Sequence, residues 1–228
     1  MERYSKITGK NKREIVLLRA FPCAWGKCAF CDYIEDNGRD EALLVKENRE
    51  VLSRVTGELG VLEVINSGSC FELPKETLRE IRETAKKRGI GRLIFESHWI
   101  YRQRLQELRD YFGIPITYKI GVETFDYDFR EKILNKHADF KDPQEVAAWF
   151  DSICLMVGIK GQTREMIARD IDCLKKYFRH GTVNVFNNNS TPIKRDKELV
   201  KWFMQEYRWL MDDPEVEVLA EITDFVVG

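Results

Sequence analysis

The chain has 228 residues, 43% of them apolar, enough to bury the core of one sizeable domain. Lys and Arg number 37 against 38 Asp and Glu; the formal net charge of −1 gives no strong signal for nucleic acid or a membrane surface. The sequence shows neither a secretory leader nor an apolar run long enough to span a bilayer, which points to the cytoplasm, where thiols stay reduced and the six cysteines read as metal ligands or core residues.

A regular alternation runs along the chain. "EIVLLRA" (14–20) is a short run rich in apolar residues and predicts a strand, and three cysteines follow it at once. Residues 40–56 predict a helix with Leu44, Leu52 and Val55 inward, and 60–68 a second strand ending in a Gly/Ser turn. Pro74 opens a helix striped by Leu78, Ile81 and Ala85, which Gly89 ends. Strands at 92–97, 116–123, 152–159 and 182–188 alternate with helices at 101–112, 143–150, 164–178 and 196–211. On the last helix Leu199, Trp202, Phe203 and Leu210 are expected to be buried, and Cys154 and Cys173 read as core. The tail from 215 to 227 fits a short strand or a helical turn equally.

Six strand–helix units imply a parallel sheet, wound openly or as part of a barrel. Nothing resembles a linker or an internal repeat, so one domain over 1–228 is expected. In such folds the loops after the strand C-termini carry function. Here those loops hold Cys23, Cys28 and Cys31; Ser67, Gly68, Ser69 and Glu72; Glu96 and His98; Glu123; Gly158 and Gly161; strand six itself carries Asn184 and Asn187.

The cysteine spacing is C-x4-C-x2-C with no fourth cysteine close by. Three thiolates suit a [4Fe–4S] cube with one iron left for a small molecule. The same spacing occurs in plant-type [2Fe–2S] ferredoxins, where Cys70 would be the fourth ligand, and a zinc site would need Cys70, His98 or Asp32 to complete it. On these residues alone an iron–sulfur electron-transfer protein and a zinc-stabilised interaction module stay open beside an enzyme. Glu96 at a strand end needs a partner, either a substrate amine or amidine or one of Arg92 and Arg102.

The cysteine cluster after the first strand, with Phe30 between its last two members, resembles that of the radical S-adenosylmethionine (SAM) superfamily, although the first gap is one residue longer than the usual C-x3-C-x2-C. "NSGS" (66–69), "GVET" (121–124) and "GIKGQT" (158–163) resemble that family's further motifs. The resemblance implies a partial (βα)6 TIM-like barrel, in which Cys23, Cys28 and Cys31 hold a [4Fe–4S] cluster and SAM completes it. It places Ser67, Gly68 and Ser69 at the methionyl group, Glu123 at the ribose, and Gly158 and Gly161 at the adenine. The implied reaction is reductive cleavage of SAM to a 5′-deoxyadenosyl radical, fed by a reductase, flavodoxin or ferredoxin.

A chain this small without a second cysteine cluster suits a small-molecule substrate or, alternatively, activation of a glycyl-radical enzyme. Its size and motif variant also resemble the small radical enzymes of queuine salvage, lyases that release the base from a deazaguanine nucleoside or its phosphate. That resemblance would set Glu96 or Glu72 against the amino-pyrimidine edge of the base and Asn184 or Asn187 on its other polar edges; His98, which follows a strand, is a substrate candidate by position.

Overall fold

Apolar runs bounded by turn residues become strands in the computed structural model, which describes residues 2–220. These fall into two units, residues 2–26 with 33–118 and residues 27–32 with 119–220. Strand order follows chain order from β1 to β8, the α/β topology of a partial (βα)6 TIM-like barrel.

In the first unit the strands are β1 (Tyr4–Ile7), β2 (Arg13–Leu18), β3 (Val61–Asn66) and β4 (Arg92–Glu96). β1 runs antiparallel to β2, with Tyr4 opposite Val16. β2, β3 and β4 are parallel, with Val16 opposite Val64 and Val64 opposite Phe95. Every residue of β2 is buried, its charged start included. Arg13 pairs with Glu63, and Glu14 accepts from the backbone N–H groups of Thr56 and Gly57 at 2.7 and 2.6 Å. Buried charges of this kind persist because each finds partners. Helix α1 (Glu41–Leu52) starts at Asp40, whose carboxylate accepts from Leu43 N–H at 3.1 Å, and it buries Leu44 and Leu52. Helix α2 (Lys75–Arg88) follows Pro74, buries Ile81 and Ala85, and stops at left-handed Gly89. Fully burying a side chain such as Ile81 is worth ~1.5–3 kcal/mol. A 3-10 segment, Trp99–Arg104, leads into α3 (Leu105–Phe112).

The second unit takes in the end of β5 (Ile116–Glu123), followed by β6 (Ser152–Val157), β7 (His180–Val185) and β8 (Val216–Leu219), all paired in parallel. Its helices are α4 (Pro143–Ala147), α5 (Arg164–Tyr177) and α6 (Lys197–Glu206). Asp142, Thr163 and Asp196 cap them in turn. α5 buries Ile167, Ile171 and Leu174, and α6 buries Leu199 and Phe203.

The six expected strand–helix units are present. β1 and β8 extend the sheet, and β8 resolves the first part of the ambiguous tail; residues 221–227 lie outside the described residues. Two side chains expected in the core are only half-buried. Trp202 packs beside the Arg164 guanidinium and the Tyr207 ring, and Cys173 lies near the surface of α5. Among the described residues no helix is long and apolar enough to cross a membrane.

Candidate active site

The loop after β2 carries all three clustered cysteines, each half-buried and none in a disulfide. Its two ends belong to different units, and each end has its own supports.

In the first unit the support is Glu72. One carboxylate oxygen accepts from Ala24 N–H at 2.8 Å and from Tyr101 O–H at 3.1 Å; the other accepts from Ser69 N–H. Ala24 directly follows Cys23, so one buried carboxylate ties the cysteine loop to the 66–69 turn. Burial raises the Glu72 pKa, against the Ala24 and Ser69 N–H groups and the Tyr101 hydroxyl, which favour the anion. Burial, and then the Glu72 charge, raises the Tyr101 phenol in turn. The turn itself is tight. Asn66 Nδ2 donates to the Ser69 carbonyl at 3.0 Å, Ser69 Oγ accepts from His98 N–H at 2.8 Å, and Ser67 is buried. A side chain at Gly68 would run into the Glu72 carboxylate and would lie 3.5 Å from the Cys23 Cβ. Cys23, Gly68, Ser69, Glu72 and His98 are thus brought together.

The first unit also holds one proposed fourth ligand. Cys70 is fully buried, and burial followed by the Glu72 charge pushes its thiol far up, unlike a ready thiolate. His98 Nδ1 accepts from Ile100 N–H at 3.3 Å and so starts the 3-10 segment. Glu96 is half-buried at the end of β4.

In the second unit Phe30 is buried in an apolar cluster with Phe129, Leu134, Met156, Ile159 and Phe186, against which Cys28 and Cys31 pack. Ala29 N–H donates to the Leu134 carbonyl at 2.8 Å, Asn135 Nδ2 to the Lys27 carbonyl at 2.8 Å, and Asn189 Nδ2 to the Phe30 carbonyl at 2.8 Å. A register shift between Gly121 and Glu123 interrupts the β5–β6 ladder, and Glu123 sits at φ +63°. A bulge re-aims a side chain. The Glu123 carboxylate meets Lys136 Nζ at 2.6 Å, with both side chains nearly buried. Gly158 and Gly161 have φ of +85° and +98°; a Cβ at Gly158 would collide with Val200, and one at Gly161 would lie 3.4 Å from the Phe129 ring. Gln162 closes this turn, accepting from Ile159 N–H at 2.9 Å and donating to the Met156 carbonyl at 2.8 Å. Asn184 is half-buried in register with Met156. Asn187 is engaged at both ends, donating to the Val185 carbonyl at 3.3 Å and accepting from Arg195.

Among the described residues no three His, Cys, Asp or Glu side chains converge on one ion-sized point. A [4Fe–4S] cube takes each thiolate on a different iron, and in the second unit Cys28 and Cys31, half-buried thiols against an apolar cluster, match that donor type. The 66–69 turn also keeps a buried acceptor, Asn66 Oδ1, without a hydrogen bond.

The family model described as "Radical SAM superfamily" matches residues 22–174, more than half of the chain. The chain belongs to the radical SAM superfamily. Its cofactors are therefore a [4Fe–4S] cluster and SAM, and the chain is an enzyme. This radical SAM enzyme is similar to a solved queuine lyase from Clostridium spiroforme bound to SAM and queuine, with 54% identity, a TM-score of 0.98, and coverage of 100% of this chain and 99% of that one. A radical SAM methyltransferase from Kitasatospora setae, bound to tryptophan and a SAM analogue, is 12% identical, with a TM-score of 0.48 over 74% of this chain and 35% of that one. An uncharacterized protein of Methanocaldococcus jannaschii is 23% identical over an alignment of 143 residues that covers 55% of this chain and 39% of that protein. The radical SAM enzyme thus aligns with well under half of that curated relative.

Sequence reasoning passed over Lys136, Tyr101 and the Gln162 turn lock. Lys136 lies in "LNKHAD", a polar stretch with no period, and only its burial reveals it.

Proposed function

We propose that this enzyme is a radical SAM lyase that acts on a queuine-containing nucleoside, queuosine or its phosphate, and releases queuine. The observation that carries this reading is the 54% identity and 0.98 TM-score, over nearly the whole of both chains, with a queuine lyase holding SAM and queuine. When bound, the cluster and SAM supply one-electron cleavage of the sulfur–C5′ bond and a radical able to take hydrogen from the substrate.

The chain's own residues set the stage for that chemistry. Cys23, Cys28 and Cys31 would hold the cluster, Ser67, Gly68 and Ser69 the methionyl group, Glu123 the ribose, and the Gly158–Gly161 turn the adenine. Glu72, whose oxygens serve Ala24, Ser69 and Tyr101, holds the loops and is the alternative to Glu96 against the base. Glu96, His98 and Asn184 are the residues assigned to substrate. Asn187 would serve it through Arg195. The electron would come from a reductase, flavodoxin or ferredoxin, and the reduced thiols fit the cytoplasm. The whole chain serves as one radical SAM domain.

The test is anaerobic turnover of the iron-loaded protein with SAM, dithionite and separate queuosine, queuosine phosphate and guanosine. Free queuine formed together with 5′-deoxyadenosine, from the queuosine substrates alone, is expected. Formation of 5′-deoxyadenosine at equal rates with all three, and no queuine, refutes the assignment.

A further inference from the structure

Residues 134–136 are fastened to the cysteine loop from the second unit. Leu134 gives its carbonyl to Ala29, and Asn135 gives its amide to the Lys27 carbonyl, each at 2.8 Å. Asn135 and His137 both take left-handed backbone, at φ +51° and +56°. A non-glycine residue in that region costs ~1 kcal/mol or more. Lys136, between them, turns inward. Its ammonium pairs with Glu123 at 2.6 Å and lies 5.4 Å from the centre of the Phe30 ring, a member of the apolar cluster against which Cys28 and Cys31 pack. A buried ammonium is kept charged by such a close carboxylate, and the two form an ion pair with both side chains nearly buried.

We propose that Lys136 is a positioning residue for the cluster, a fixed buried cation against the Phe30 cluster on which Cys28 and Cys31 pack, which favours the reduced state and is partly neutralised by Glu123. This rests on Cys28 and Cys31 as cluster ligands and is independent of the substrate. The physics is direct. A cube carried by three thiolates is anionic, and reduction adds one more negative charge. A nearby cation stabilises the reduced form more than the oxidised one, and a water-poor apolar setting weakens screening. Glu123, by pairing with the ammonium, partly cancels its charge, while the 134–137 backbone, bonded to Ala29 and Lys27, locates it. The residue proposed to hold ribose and the charge felt by the cluster are thereby linked through one ion pair.

The experiment is a redox titration of the reconstituted full chain without SAM, followed by electron paramagnetic resonance, with iron content measured alongside. Lys136→Met is expected to lower the reduced-to-oxidised ratio at a given potential at least tenfold, a midpoint shift of about −59 mV for one electron. Lys136→Arg keeps the charge and should restore most of the shift. Glu123→Gln frees the ammonium and should move the midpoint upward. A Lys136→Met protein with full iron that titrates like the parent overturns the proposal. Should Lys136→Met hold no cluster, Glu123→Gln decides: an upward shift supports the proposal, and an unchanged or lower midpoint overturns it. A parent chain that forms no [4Fe–4S] signal sinks the site assignment and this inference together, whereas an unresponsive variant of a competent parent sinks this inference alone.

Discussion

Replacing Glu72 with Gln tests whether one carboxylate anchors the cysteine loop to the 66–69 turn. The wild-type side chain takes three donors, Ala24 N–H, Tyr101 O–H and Ser69 N–H, on two oxygens. An amide offers one oxygen. If that oxygen keeps Ala24 and Tyr101, its NH2 group faces Ser69 N–H, and a buried donor goes unpaired at ~1–3 kcal/mol. The two retained bonds also lose their charge assistance, roughly another 1 kcal/mol. Against this, burial raises the Glu72 pKa, so removing the charge relieves a desolvation cost. The balance is a loss of about 2 kcal/mol, which lowers the melting temperature of a chain this size by about 4–8 °C. Because Ala24 adjoins Cys23, iron retained after reconstitution should fall as well. Tyr101→Phe removes a single donor and should cost roughly 0.5–1.5 kcal/mol. Glu72→Gln protein that melts within a degree of the parent and binds the same iron would show that the three contacts do not govern the loop.

Two further outcomes follow from buried groups in the second unit. Burial raises the Asp170 carboxyl to about 7, even though Thr124 and the Phe125 N–H, at 2.7 Å, favour its anion. Its folded pKa exceeds the unfolded value of 3.8, so the stability it lends is complete below that value and is lost as pH rises through about 7. Three units correspond to about 4 kcal/mol. Asp170→Asn should flatten the urea midpoint between pH 5 and 8 and leave the variant the more stable at the upper end; parallel curves would refute this. Gly158→Ala meets both a left-handed φ of +85° and Val200, so a loss of roughly 2–5 kcal/mol is expected in urea unfolding. Adding Val200→Ala should recover the collision part and not the backbone part.

The strands and most helices were legible because their burial is written as apolar runs and caps. β5 spans Ile116–Glu123 as the sequence reads, and Asp142 and Thr163 start their helices where expected. β1 escaped because "YSKI" is short and half-buried throughout, so it carries no alternation. Residues 101–104 read as helix from their periodicity, yet the chain enters α3 through a 3-10 segment that His98 starts. At the site, the cysteines and glycine turns announce themselves by residue type. Glu72 also carried a signal the reading left unused: Ser69 followed three residues later by Glu72 is a capping-box spacing, and the carboxylate does reach back to Ser69 N–H. Lys136 was not legible at all, since a buried lysine is defined by a carboxylate thirteen positions away and by thiols still farther off.

β2 ends at the cysteine loop, and its flank is covered by four residues, Tyr4–Ile7, with the Tyr4 hydroxyl fastened to Glu14 at 2.8 Å. Trimming the first eight residues, a routine step in preparing shorter versions for crystallisation, would strip that cover. It would lay bare a row of backbone donors and acceptors on an apolar strand, a template for self-association. Poor behaviour of such a shortened protein would then reflect a sticky margin of the sheet, with no bearing on the chemistry at its far end.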